Sequence, residues 1–264
     1  MIARPRRAQV AVVGLAAVGS LLFVLPLVGL LWRAPWSQAG HELRDSSVRT
    51  ALRLSLECSL SALALTLVFG TPIALVLARG SFPGKRFVRS LLTLPMVLPP
   101  VVGGVALLLA FGRNGLVGRL LFDWFHLRLA FTTTGVVLAE TFVAMPFYVV
   151  TVEAALAAVD RRLEDAASSL GASPFTVFRT VTLPLVRPSV LAGAALSWAR
   201  ALGEFGATVT FAANVEGVTQ TIPLKVYLAL ETNPDGAVML SVLLLLVSIG
   251  VLALFHDRWL GGRT

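Results

Sequence analysis

Charged residues are scarce in this chain, and their scarcity excludes most kinds of soluble protein. Only 14% of the 264 residues are charged, 56% are hydrophobic, and the mean hydropathy is +0.84. A soluble domain carries roughly a quarter charged residues, so this composition predicts that the lipid bilayer is the solvent. An open sheet cannot satisfy its backbone hydrogen bonds in lipid, whereas a helix can. We therefore predict an all-α integral membrane protein.

Cysteine and histidine are also rare, and each shortage removes a class of site. The single cysteine, Cys58, cannot form an internal disulfide and is not by itself a metal site. His41, His126 and His256 are scattered near helix ends or loops, which supports neither a zinc site nor a catalytic triad. We predict no catalytic residue and no metal.

The chain has only two lysines, and neither belongs to a nucleotide-binding loop. A phosphate-binding loop needs glycines at fixed spacing and a lysine followed by serine or threonine. Lys85 follows Gly84, but Arg86 occupies the Ser/Thr position, and Lys225 follows Leu224. We therefore predict no cofactor in this chain. Any energy for transport must come from another polypeptide or from an ion gradient.

The net charge of +8 does not indicate nucleic-acid binding. Twenty of the 22 basic residues are arginine, and they cluster at the ends of apolar runs, as membrane topology requires. No basic face with interleaved aromatic residues is present. The partner that this charge pattern predicts is the bilayer.

Six apolar runs predict six transmembrane helices. They cover residues 10–32, 51–78, 96–111, 135–152, 189–211 and 237–255. A crossing needs about 20 apolar residues, so six crossings and their loops fill residues 1–264 as a single domain. The third run is short, and its proline-rich start predicts a tilted or irregular helix. The first run could be a signal peptide, but it exceeds the usual core of roughly 7–15 residues, and we interpret it as a retained helix.

The basic residues also predict orientation. The N-terminal tail has Arg4, Arg6 and Arg7, and the C-terminal tail has Arg258 and Arg263. These tails and the arginine-containing loops after the second and fourth runs fall on one side if six helices alternate. The positive-inside rule places that side, with both termini, in the cytoplasm.

The connection between the fourth and fifth runs, at about residues 153–188, is too organised to be a simple tether. Residues 160–170 have apolar positions on one helical face, and Gly171 supplies a residue that tolerates the left-handed conformation. Ser173 is a typical N-cap, and Pro174 fits the first position of a second helix that would run to about residue 180.

We predict that this second helix ends at Leu183-Pro184, which gives a helix–turn–helix elbow at the cytoplasmic surface. Ala166, Ala167 and Gly171 are small and would let another protein approach the backbone closely. The alternative is an amphipathic hairpin that lies on the membrane without a partner.

The order of residues in the elbow resembles a known motif. Asp165-Ala166-Ala167, Gly171, Val181 and Leu183-Pro184 have the spacing of the cytoplasmic EAA loop of ABC-importer permeases. Asp165 stands for the usual glutamate and Val181 for isoleucine, while Glu164 retains the acidic character.

In that family the elbow is the coupling helix, which sits in a cleft of an ATP-binding subunit and transmits its closure to the membrane helices. The resemblance assigns this role to the following residues: Glu164, Asp165, Ala166, Ala167, Gly171, Leu183 and Pro184.

Two later stretches, residues 199–214 and 219–231, resemble molybdate-type permeases. Sulfate permeases share the region around Gly203-Glu204. The resemblance implies a type I ABC importer permease that moves an oxyanion by alternating access, as a homodimer with two copies of an ATP-binding cassette subunit and an extracytoplasmic substrate-binding protein. Molybdate is the expected substrate, with tungstate or sulfate/thiosulfate as alternatives.

An ion-gradient-driven transporter is a second hypothesis, but the inverted repeats typical of that class are not evident. A membrane enzyme or scaffold is a third.

Five ionisable residues lie within the apolar runs, and two of them, Arg53 and Glu57, are four residues apart in the second run, where a structural pair is the favoured interpretation. Arg200 and Glu204 are four residues apart in the fifth run, and Glu140 lies in the fourth. Such groups are costly at membrane depth and indicate either a transport pathway or a structural ion pair. Both interpretations stay open for Arg200 and Glu204. Glu140 has no local partner, and we expect it to find one on another helix.

Overall fold

The computed structural model describes residues 6–260, and every regular element in that range is helical. The prediction of an all-α fold is confirmed. The helices are α1 Arg6–Arg33, α2 Ala39–Arg44, α3 Ser46–Arg79, α4 Lys85–Val97, α5 Pro100–Phe111, α6 Gly118–Phe125, α7 Thr133–Ala158, α8 Arg161–Ser169, α9 Pro174–Val177, α10 Leu183–Leu202, α11 Gly206–Ala212, α12 Ile222–Thr232 and α13 Pro234–Leu260. Arg4 and Arg263, which contributed to the predicted orientation, lie outside the described residues.

Among residues 6–260, five helical segments are long and apolar enough to cross a membrane, where six were predicted. They are Gln9–Arg33, Ser46–Arg79, Thr133–Ala158, Pro174–Leu202 and Pro234–Val251.

The third predicted run is divided between α4 and α5 at Leu98 and Pro99. The 12 residues of α5 span only about 18 Å, less than the hydrocarbon core of a bilayer. Arg89 on α4 pairs with Glu153 near the C-terminal end of α7, and Phe111 packs against the same hydrophobic cluster as Leu129, which lies just before α7. Together α4 and α5 therefore cover the length of α7 as a broken helix.

The core forms where α7 packs between α3 and α10. Tyr148 of α7 is fully buried there, and its hydroxyl lies 2.7 Å from the Thr71 hydroxyl of α3. Glycines on both neighbours admit the ring, because an added Cβ would lie 2.9 Å from it at Gly70 and 3.2 Å from it at Gly193. These close approaches hold α3, α7 and α10 together as one unit. The elbow joins this unit at two points, because it follows α7 and precedes α10 in the chain.

Candidate functional site: the elbow and a buried polar cluster

The first arm of the elbow is α8, and its two ends are determined by local sequence. Asp160 caps the start, since its carboxylate accepts a hydrogen bond from the Arg162 amide at 3.0 Å. At the other end Gly171 has a φ of +88°. The Gly171 amide donates to the Ser168 carbonyl and the Ala172 amide to the Ala167 carbonyl, which is the Schellman arrangement. The predicted helix and its glycine terminator are confirmed.

The second arm begins as predicted but does not end as predicted. The Ser173 hydroxyl accepts from the Thr176 amide at 3.2 Å, and Pro174 opens α9. The prediction that Leu183-Pro184 ends this helix is wrong. A π-helical segment, Phe178–Thr182, joins α9 to α10, so the helix continues from the elbow into the membrane. The wider π turn accommodates Pro184, which has no amide hydrogen to donate and would clash within a regular α turn.

The outer face of the elbow is apolar and uncovered in the single chain. Leu163 and Phe175 are exposed, and Leu170 is 89% exposed. Asp165, Ala166 and Gly171 are also exposed, so the small residues of the motif face outward. Exposed leucine and phenylalanine side chains beside small residues are typical of a surface that another protein covers.

The inner face of the elbow is tied to the bundle through Glu164. Its Oε1 accepts a hydrogen bond from the Arg79 guanidinium at 2.9 Å and another from the Thr182 hydroxyl at 2.8 Å. Glu164 thus links α8 to the end of α3 and to the π segment, while its neighbour Asp165 points away. Sequence reasoning missed Arg79 and Thr182 as members of the site. The only sequence signal was an arginine that ends the second apolar run.

Glu204 lies where the fifth predicted run is interrupted. That run was predicted as one helix over residues 189–211, but the structure breaks it between α10 and α11. The fully buried Glu204 accepts a hydrogen bond from the Ala207 amide at 2.8 Å, which caps the start of α11. Its other oxygen lies 2.6 Å from Nη1 of Arg200. This geometry favours the structural-pair interpretation of Arg200 and Glu204.

Comparison with known proteins identifies the family. Residues 70–264 match the family described as binding-protein-dependent transport system inner membrane component. The chain belongs to this family. It is also 47% identical over 235 residues to the molybdenum transport system permease protein of Mycobacterium tuberculosis, covering 89% of each chain. The molybdenum transport system permease protein of Escherichia coli is 43% identical over 212 residues, which cover 80% of this chain and 92% of that protein.

The permease also has the fold of a solved ABC importer. It superposes on a chain of a bacterial ABC transporter involved in the import of the acidic polysaccharide alginate, with a TM-score of 0.76. The match covers 98% of this chain and 97% of that chain at 16% sequence identity, so the likeness concerns the fold alone. The predicted architecture of a type I importer permease is confirmed.

Glu140 of the permease has no hydrogen-bond partner among the side chains that the structure describes, and a partner on another helix stays a prediction. It is fully buried on α7, and its Oε2 makes no hydrogen bond to any residue within the described range 6–260. One turn before it, Val136 packs with Cys58 of α3, and one turn after it, Ala144 packs with Ala201 of α10. Glu140 therefore faces the centre of the bundle. The structure brings Arg200 and Glu204 together as an ion pair, and Glu140 is not a member of that pair.

Replacing Glu164 by glutamine should loosen α8 without unfolding the permease. The amide of glutamine carries no charge, so the charge-assisted hydrogen bond from Arg79 is lost or weakened, an effect of about 1–2 kcal/mol at this partly exposed site. We expect faster amide hydrogen exchange in α8 of the isolated permease.

The matched control for Glu164→Gln is Asp165→Asn, which removes the same charge from an exposed neighbour that has no side-chain hydrogen bond among the described residues. Exchange in α8 should be unchanged by that variant. Equal exchange rates in the two variants would contradict a role for Glu164 in holding the elbow.

Proposed function

We propose that this permease imports molybdate, driven by ATP hydrolysis in a separate subunit. The observation that carries the proposal is the 47% identity, over 89% of both chains, to a relative described as a molybdenum transport system permease. The elbow supports it, since its spacing resembles the coupling loop of ABC importers and its apolar face is uncovered.

In this proposal the working unit contains two copies of the permease, two ATP-binding cassette subunits and one extracytoplasmic substrate-binding protein. The elbow, with both termini, faces the cytoplasm. The ATP-binding subunit contacts the outer surface of the elbow. The motif residues in this contact are Asp165, Ala166, Ala167 and Gly171. The apolar contacts come from Leu163, Leu170 and Phe175. Glu164, Leu183 and Pro184 act from the other side, where they connect the elbow to α3 and α10.

The connection to the membrane helices is the mechanical part of the proposal. Because the chain is continuously helical from Pro174 to Leu202, a displacement of the elbow moves α10 as a rigid lever. Glu164 adds a second connection, through Arg79, to α3. Closure of the ATP-binding subunits would therefore reach both core helices that flank α7.

Uptake in vesicles tests both substrate and energy source. The permease is reconstituted with its ATP-binding subunit and binding protein, and labelled molybdate uptake is measured with ATP inside, with and without excess sulfate or tungstate. We expect uptake that requires ATP and resists excess sulfate. Equal competition by sulfate would favour the sulfate alternative, and stronger competition by tungstate would favour the tungstate alternative. Uptake without ATP that follows an ion gradient would establish the secondary-transport hypothesis instead.

A further inference from the structure

A pocket lies at the end of α7 away from the elbow. Its lining includes Arg113, Phe122, Arg128 and Thr132, and its volume is about 320 Å³. Thr132 caps the start of α7, whereas the elbow follows the other end of this 26-residue helix. Because α7 is about 39 Å long, the pocket and the elbow lie at opposite faces of the membrane.

Two arginine guanidinium groups lie over one aromatic ring at this pocket. The Cζ atom of Arg113 lies 4.5 Å from the centroid of the Phe122 ring, and that of Arg128 lies 5.2 Å from the same centroid. Neither arginine pairs with a carboxylate among the side chains of residues 9–251. A cation–π contact uses the charge of a guanidinium and forms no hydrogen bond, so its N–H donors stay available for two parallel hydrogen bonds to a phosphate.

The helix that carries Phe122 has the character of a membrane-interface helix. Leu120 and Phe125 of α6 are exposed, and Trp124 is 75% exposed. Tryptophan and other amphipathic aromatics concentrate where acyl chains meet headgroups, and an amphipathic helix lies in that plane with its apolar face toward the chains. The free cations and the exposed apolar residues thus lie side by side at one level of the membrane.

We propose that Arg113 and Arg128 bind the phosphate of an anionic phospholipid, and that α6 lies in the interface with the acyl chains of this lipid against its apolar residues. A phospholipid supplies both an anionic group and a hydrocarbon chain, which match the two kinds of surface present. A soluble oxyanion would match the arginines but not the exposed tryptophan and phenylalanine. The proposal holds whichever substrate the permease carries.

Lipid retention by the assembled transporter tests this site. The complex of permease and ATP-binding subunits is purified without binding protein or oxyanion, and bound phosphatidylglycerol is titrated by mass spectrometry. One arginine near an anionic lipid is worth about fivefold in affinity, so the double variant Arg113→Gln/Arg128→Gln should bind roughly 25-fold more weakly. Arg119→Gln is the matched control, because Arg119 lies on α6 with Phe122 but pairs with Asp123 at 3.6 Å. Its affinity should be unchanged.

Three other outcomes would overturn the proposal. Unchanged affinity in the double variant places the lipid elsewhere, and an equal loss in Arg119→Gln means that only general positive charge matters. Displacement of phosphatidylglycerol by free molybdate or sulfate at millimolar concentration means that the pocket is a soluble-oxyanion site. Size-exclusion elution and ATP-driven uptake in phosphatidylcholine vesicles verify that the double variant is folded. If the double variant does not fold, the Arg113→Lys/Arg128→Lys variant replaces it, because lysine keeps the charge but lacks the planar guanidinium edge.

Discussion

Replacing Gly171 by leucine should reduce ATP-driven oxyanion uptake at least roughly tenfold, since losing about 1.4 kcal/mol of docking free energy has that effect. The φ of +88° at Gly171 is costly for any residue with a Cβ, and the added side chain would project from the outer face of the elbow. No described residue lies within 4 Å of that Cβ, so in the proposed docking arrangement the steric clash would arise only with the ATP-binding subunit. Labelled uptake and substrate-stimulated ATP hydrolysis by the reconstituted complex measure the effect.

Gly217 provides the matched control for this substitution. Its φ is +75°, and an added Cβ there also meets nothing within 4 Å. The next residue, Val218, accepts a hydrogen bond from the Thr133 hydroxyl at the start of α7, so Gly217 lies at the far end of the bundle from the elbow. Gly217→Leu should therefore carry similar backbone strain but retain coupling. If both variants lose uptake equally, strain alone explains the loss and the elbow has no special role.

Replacing Glu204 by alanine should produce the largest loss of stability among the substitutions considered. The change leaves Arg200 without its partner and removes the acceptor for the Ala207 amide at the break between α10 and α11. Removing one member of a buried ion pair costs about 3–5 kcal/mol, which should lower the thermal unfolding midpoint of the purified permease by several degrees or more. Glu204→Gln keeps an acceptor for the amide without the charge, so it should recover part of the loss.

The permease contains a natural control for Glu204→Ala. Arg53 and Glu57 have the same four-residue spacing, but their side chains are 77% and 51% exposed. Glu57→Ala should therefore leave the unfolding midpoint unchanged. A Glu204→Ala variant that unfolds normally yet transports abnormally would favour the pathway interpretation over the structural pair.

Much of the elbow could be predicted because its signals are local. A carboxylate cap at Asp160, the glycine at Gly171 and the Ser173-Pro174 helix start each act through atoms within a few residues. Sequence spacing alone contains such information. The same holds for the long apolar runs, since hydropathy is a property of consecutive residues.

The breaks within predicted helices were harder to place. Leu98 and Pro99 interrupt the third run, whose proline-rich start predicted an irregular helix but not the position of the break, and Glu204 interrupts the fifth run, which was predicted as one helix. At the second break, α11 packs so closely on α5 that an added Cβ at Gly104 would lie 2.8 Å from the Ala207 carbonyl oxygen. That approach depends on two segments about 100 residues apart, which hydropathy does not relate.

By itself, the sequence determined that this chain is an all-helical membrane protein with an elbow between its fourth and fifth apolar runs, because composition and local spacing carry that information. Only the tertiary structure decided that Glu164 faces inward to Arg79 and Thr182, that Pro184 continues a helix, and that Arg113 and Arg128 share one aromatic ring. Each of these features depends on how side chains and backbone meet in three dimensions. The free energy of such contacts is set by distance and geometry, which the order of residues does not specify until the helices have packed.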